Sequence, residues 1–129
     1  MAKLSDLVNI NINRDTIQIQ GVEIPVIFTF KSFPYVEEAY GKSYAVFEKD
    51  LNGMLKKDGK VTLDRKAVRI MNCLIYAMVK SAGTDCTLHE IETAIPIKDL
   101  EAIFQTVLNI FSNQQFQDAD MRKIKTEKK

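Results

Sequence analysis

The chain has 129 residues, 46% of them hydrophobic and 27% charged, which is the size and composition of one ordinary globular domain. Its 18 Lys and Arg residues nearly balance its 17 Asp and Glu residues, and the resulting charge of +1 provides no overall field for binding nucleic acid or an anionic membrane. No apolar run approaches the roughly 20 residues that span a bilayer, and the first residues lack the apolar core of a secretory signal, so we expect a cytoplasmic protein.

Two strands are predicted near the N-terminus. Apolar and polar residues alternate over residues 16–20 and again over residues 22–30, the pattern of strands with one buried face, and Gly21 accepts the positive φ of a tight turn between them. Alternation over residues 9–13 makes a third short strand an alternative, which would turn the hairpin into a meander. Pro25 cannot donate a ladder hydrogen bond, so it places its strand at a sheet edge. The buried face of the second strand is expected to carry Val22, Ile24, Val26, Phe28 and Phe30.

Start and stop signals predict about five helices after the strands. Ser32 and Ser43 are candidate N-caps, Thr87 and Glu90 fit a capping box, and Gly41 is a natural stop. The helices are expected between residues 32 and 41, after residue 43, and over residues 65–82, 88–94 and 96–111. The third of these helices is apolar around most of its circumference, which indicates a central place in the core or contact with a partner.

These elements predict an α+β fold, with a small N-terminal antiparallel β-hairpin or meander followed by about five α-helices. We expect a single domain over residues 1–117 and a mobile loop at residues 56–60. The charged tail over residues 118–129 is expected to be disordered. The apolar side chains of residues 1–9 have spacings that fit either a short helical turn or a loosely docked arm, and docking onto a neighbouring molecule is our hypothesis for the first fifteen residues.

The residue types that carry catalysis or metal chemistry are sparse. His89 is the single imidazole, and Cys73 and Cys86 are the two thiols, too few for a four-ligand zinc site. Cys86 lies three residues before His89, but no third orienting group or oxyanion motif accompanies the pair. A disulfide is not expected in a reducing compartment. We therefore expect no enzymatic activity, no cofactor and no metal.

The last predicted helix has a regular apolar seam with the i, i+3, i+4, i+7 spacing of one helix face. Such a seam usually belongs to the core. The helices together, however, carry more apolar surface than one small core consumes, and surplus apolar surface indicates association. Aromatic and large aliphatic anchors dominate such contacts. We expect partner binding through Phe104, Leu108 and Phe111, with Phe116 at the periphery.

Two parts of the chain resemble a known family. Residues 20–32 and 36–43 contain a strand pair, a Phe-Thr-Phe segment and a helix closed by Gly-Lys-Ser. This arrangement resembles the opening of the tail assembly chaperones of long-tailed bacteriophages and prophages of Gram-positive bacteria. Residues 74–83 and 87–92 are similar to the family's second signature, a helix ended by Gly and followed by a Thr-Leu capping turn. The resemblance extends over about residues 16–111.

The resemblance implies a non-enzymatic phage tail assembly chaperone in the cytoplasm of the bacterial host. Such a protein binds the long, largely helical tape measure protein, keeps it soluble, promotes tail tube assembly and is absent from the mature virion. The resemblance also implies self-association into an oligomer or spiral, with the tail tube protein as a further candidate partner. The near-zero net charge is the reason that we expect no binding to nucleic acid or membrane. The alternatives are a structural tail completion or connector protein of the virion and, less favoured by the net charge, a small DNA-binding regulator.

Overall fold

The secondary structure follows the order predicted from the sequence. The computed structural model describes residues 3–9, 14–54 and 64–112. The predicted α+β layout, a hairpin followed by about five helices, is confirmed, whereas the predicted third strand, the loop at residues 56–60 and the C-terminal tail fall outside the described residues. The elements are the helical turn α1 (Leu4–Leu7), strands β1 (Arg14–Ile19) and β2 (Val22–Ile27), helices α2 (Phe33–Tyr40), α3 (Tyr44–Met54), α4 (Arg65–Ser81) and α5 (Leu88–Ala94), and α6 over residues 100–112, with short 3-10 turns at Phe30–Ser32 and Ile97–Asp99.

Strands β1 and β2 form an antiparallel hairpin in which Ile19 and Val22 are paired next to the turn. Both turn residues have positive φ, 55° at Gln20 and 76° at Gly21, the combination of a type I′ turn, whose twist matches that of the strands. The Gln20 side chain donates a 2.8 Å hydrogen bond to the carbonyl of Ala94 at the end of α5. The turn is therefore fixed to the helical part of the domain. Within the described residues the sheet has two strands, which agrees with the prediction that Pro25 places its strand at a sheet edge.

The inner face of the hairpin is covered unevenly. Ile17, Val26 and Phe28 are buried, as the alternation predicts. Val22 and Phe30, however, are 57% and 82% exposed, so the expectation that both are buried is wrong. Phe30 lies in the 3-10 turn beyond β2, where the two-residue period no longer applies. Val22 lies in the strand and points to the inner face, but no helix covers that corner.

Helix α4 is the centre of the core. Asp64 caps it by accepting a 2.8 Å hydrogen bond from the Ala67 amide, and every residue from 70 to 79 is buried. The helix packs against the hairpin, α2, α3 and α5, which confirms the central place predicted from its apolar circumference. One polar side chain in this run is Asn72, which is 4% exposed and whose Oδ1 has no hydrogen-bond partner among the residues that the structure describes.

Replacing Phe104 in α6 tests whether this helix is part of the core in solution. The side chain is fully buried, so we expect Phe104→Ala to lower the free energy of unfolding by about 3–5 kcal/mol through lost burial and a residual cavity. Urea denaturation followed by circular dichroism measures this. The matched control is Gln105→Ala on the exposed face of the same helix, with an expected change within about 0.5 kcal/mol. Equal effects of the two substitutions would show that α6 does not pack as described.

A hydrogen bond between α2 and α3 gives the stability a predictable dependence on pH. The Tyr40 hydroxyl donates to the Asp50 carboxylate, and this bond lowers the pKa of Asp50 because it stabilises the charged form. A lowered folded-state pKa adds stability above the unfolded pKa, near about 4, and that stability is lost as pH falls through the folded value. We expect Tyr40→Phe to lower the melting temperature near neutral pH, by an amount that shrinks in acid.

Thermal unfolding between about pH 2 and pH 7 measures this difference, over the range in which an aspartate titrates. Asp50→Asn is the control, because the amide does not titrate there. In that background, Tyr40→Phe is expected to change the melting temperature by the same amount at every pH. If the melting temperatures of Tyr40→Phe and the native chain differ by the same amount in acid as at neutral pH, this hydrogen bond is not the cause.

Candidate functional site

The side chains predicted to bind a partner are not on the surface of the domain. Phe104, Leu108 and Phe111 are 0%, 3% and 2% exposed, and the rings of Phe111 and Phe28 make an edge contact at 5.1 Å. The expectation that this seam of α6 is open to a partner is thus corrected, because the seam fills a gap left by the hairpin and α4. Phe116 lies outside the described residues.

An open apolar groove of about 330 Å³ lies beside the tip of the hairpin. One wall comes from β2 and the turn, the floor from the end of α4, and the other wall from α5 and the segment before it. We call it the hairpin groove, and it is lined by Ile19, Gln20, Val22, Ile24, Val79, Thr84, Asp85, Cys86, Glu90, Ile91 and Ala94.

The groove exists because the helices cover only part of the hairpin's inner face. Opposed residues of an antiparallel pair point to the same face, so Val22 shares this face with Ile19, its partner in β1. Ile19 is 8% exposed, whereas Val22 is 57% exposed and Ile24 is half-buried. The apolar surface at the tip of β2 is therefore a real part of the inner face that the domain leaves open to solvent.

The rim of the groove is acidic. Asp85 is exposed and pairs with Lys80 at 3.2 Å, and Glu90 closes the capping box predicted from the sequence. In that box the Glu90 Oε1 accepts from the Thr87 amide at 2.9 Å, and the Thr87 Oγ1 accepts from the Glu90 amide at 3.1 Å. Because Lys80 already pairs with Asp85, the rim presents mainly the Glu90 charge, and an apolar floor beneath this carboxylate favours a partner segment that combines apolar side chains with a basic one.

The two thiols have different surroundings. Cys86 is half-buried in the hairpin groove, and Cys73 is buried in α4. Burial raises the pKa of Cys73 to about 11 and also raises the pKa of Cys86. Catalytic cysteines have lowered pKa values, so the shift at Cys86 is in the opposite direction to that of an activated nucleophile.

Phe30 is a second exposed apolar feature. Its ring packs on Phe33 with a centroid distance of 5.0 Å, and Phe33 in turn stacks on Tyr44 at 3.7 Å, with the two planes 7° apart. This row of rings connects a protruding aromatic to the buried Phe28. The sequence predicted a strand position for Phe30, so neither the row nor the protrusion was foreseen.

Within residues 3–9, 14–54 and 64–112, no three His, Cys, Asp or Glu side chains are grouped so as to hold a metal ion. No helix in those same ranges is long and apolar enough to cross a membrane.

Comparison of the chain with known protein families, curated proteins and solved structures finds no match. The family resemblance described from the sequence therefore stays a prediction. The geometry that bears on function is the hairpin groove, with Phe30 as a separate exposed anchor.

Alkylation of the thiols tests the placement of the groove and of α4. We expect iodoacetamide, at a mildly alkaline pH, to modify Cys86 in the folded protein and to leave Cys73 unmodified until urea is added, because Cys73 is buried and its pKa is about 11. Mass spectrometry of proteolytic peptides measures both sites. Modification of the two thiols at equal rates without urea would contradict the enclosure of α4.

Proposed function

We propose that this chain is a non-enzymatic phage tail assembly chaperone that binds an apolar helical segment of the tape measure protein in the hairpin groove. Binding would keep the client soluble and promote assembly of the tail tube around it. The observation that supports the proposal is that the two parts of the chain that carry the family resemblance meet at this groove. Residues 20–32 supply its β2 wall, and residues 74–83 and 87–92 supply its floor and its α5 wall.

The shape and chemistry of the groove suit this kind of client. An amphipathic helix presents apolar anchors at i, i+3, i+4 and i+7 to a groove of this type. Val22, Ile24 and Ile91 would contact those anchors, since all three line the groove. The Glu90 carboxylate at the rim would favour Lys or Arg beside the anchors and disfavour a phosphate backbone.

The expected strength of binding favours several copies on one client. Each large apolar side chain buried in the groove contributes about 1.5–3 kcal/mol, whereas association itself costs about 4–15 kcal/mol. A groove of about 330 Å³ accepts only a few side chains. One copy would bind weakly, and copies arranged along a long helical client would bind by avidity.

Co-expression with the tape measure protein encoded by the same phage or prophage tests the proposal. We expect the client, insoluble when expressed alone, to become soluble and to copurify with this chain, and we expect the chain to be absent from purified virions by mass spectrometry. An insoluble client together with the chain inside virions would support the structural completion or connector protein instead. Salt-sensitive binding to duplex DNA would support the regulator.

A pair of matched substitutions tests the groove as the client site. Val22→Asp puts a charge in the groove, whereas Val46→Asp makes the same change at a position of α3 that is 38% exposed and outside the groove. We expect Val22→Asp to reduce the copurified client at least tenfold, about 1.4 kcal/mol, and Val46→Asp to leave it unchanged. Equal retention of client by both variants, with native circular dichroism spectra, would move the site away from the groove and make Phe30 the next residue to replace.

A further inference from the structure

The N-terminal arm, residues 3–9, presents apolar side chains that the described residues of its own chain do not cover. Leu4, Leu7 and Val8 are 66%, 70% and 54% exposed. The arm is nevertheless ordered as a turn, since the Val8 amide donates to the Leu4 carbonyl at 3.0 Å and the Lys3 amide donates to the Asp6 carboxylate at 3.2 Å. The spacing i, i+3, i+4 places the three apolar side chains on one side of this turn.

We propose that the arm of one copy docks into the hairpin groove of a second copy. The arm and the groove are two uncovered apolar surfaces of the same chain, and they do not meet within one copy. This inference rests on the proposed function, because that function gives the groove its role as a binding site. Arm docking itself requires no client.

The match between arm and groove extends to charge. The Asp6 carboxylate caps its own turn, so the arm presents the Lys3 ammonium group at the start of its apolar side. The rim of the groove carries the Glu90 carboxylate, and Asp85 beside it is already paired with Lys80. Lys3 beside the Glu90 carboxylate places opposite charges together while the three apolar side chains enter the groove.

The geometry of the hairpin favours a second copy over the chain's own groove. The arm leads into β1 at Arg14, which pairs with Ile27 at the open end of the hairpin, whereas the groove lies at the Ile19 and Val22 end. Five residue steps of strand separate these ends, about 17 Å at 3.3 Å per residue, so an arm in its own groove would have to run back along the hairpin. Leu7 is 70% exposed in the structure, so it does not lie in its own groove.

Docking of this kind joins molecules head to tail. The arm and the groove are different surfaces, so the contact is heterologous, and repeated heterologous contacts generate rings or helical filaments. The arm also uses the apolar helical pattern expected of the client. A client segment and a neighbour's arm therefore compete for one groove, and client binding releases the arm.

Disulfide trapping with the native groove thiol tests the contact directly. One chain carries Leu7→Cys with Cys86→Ser, and the other keeps Cys86; both carry Cys73→Ser. After mixing and mild oxidation, we expect a disulfide between position 7 of the first chain and Cys86 of the second, identified by mass spectrometry of the linked peptides, because docking brings the two within disulfide distance. Ser5→Cys, on the other side of the same turn, is the matched control and is expected to give at least tenfold less product.

Two outcomes overturn the inference. One is equal linkage from positions 5 and 7, or none from either. The other is linkage within single chains when Leu7→Cys and Cys86 are placed in the same dilute molecule, which would mean that the arm reaches its own groove. Because the trap contains no client, its result is separate from client capture. If the arm is trapped but the client is not solubilised, the inference stands and the proposed function fails. If the client is solubilised but no arm is trapped, only the inference fails.

Light scattering of the full-length chain provides a second test. We expect the native chain to exceed its monomer mass of 14.7 kDa, and the double substitution Leu4→Ser with Leu7→Ser to lower the mass to that of the monomer. Val22→Asp is expected to do the same and Val46→Asp to have no effect. The arm side chains are exposed, so the double substitution leaves the fold intact, which circular dichroism checks. An unchanged mass in the arm variant would overturn the inference.

Discussion

The burial of α4 is the constraint on which the rest of the structure depends. A run from residue 70 to 79 with every side chain buried must be surrounded on all sides, and a single neighbouring layer cannot do this. The hairpin, α2, α3 and α5 each pack on it. The seam of α6 contributes to the same core. The fold can be described as the set of elements needed to enclose one apolar helix.

This requirement also explains where apolar surface stays open. Helix α4 ends at Ser81, and Gly83, with a φ of 101°, turns the chain away toward α5. The short helix α5 begins only at Leu88. The tip of β2 therefore lies beside a gap in the helical cover, and Val22 stays exposed there although the turn is bonded to the end of α5. The hairpin groove is a result of where three elements end.

Much of the fold could be read from the sequence because its signals are local. Period-two alternation identified the hairpin, and caps such as Thr87 and stops such as Gly41 located helix ends. The candidate site could not be read in the same way. The apolar seam of Phe104, Leu108 and Phe111 and the apolar face that includes Val22 look alike in sequence, yet the first is enclosed and the second is open. Periodicity shows which face is apolar, whereas coverage depends on the lengths and directions of elements distant in the chain.

The bond from the Gln20 side chain to the Ala94 carbonyl joins residues 74 positions apart. It connects the two walls of the groove, so the groove is complete only when the hairpin and α5 are both folded and in contact. A chain still emerging from the ribosome has its hairpin long before α5 is available. Binding competence therefore arises late in synthesis, and an unfinished chain does not yet present the completed groove to other molecules.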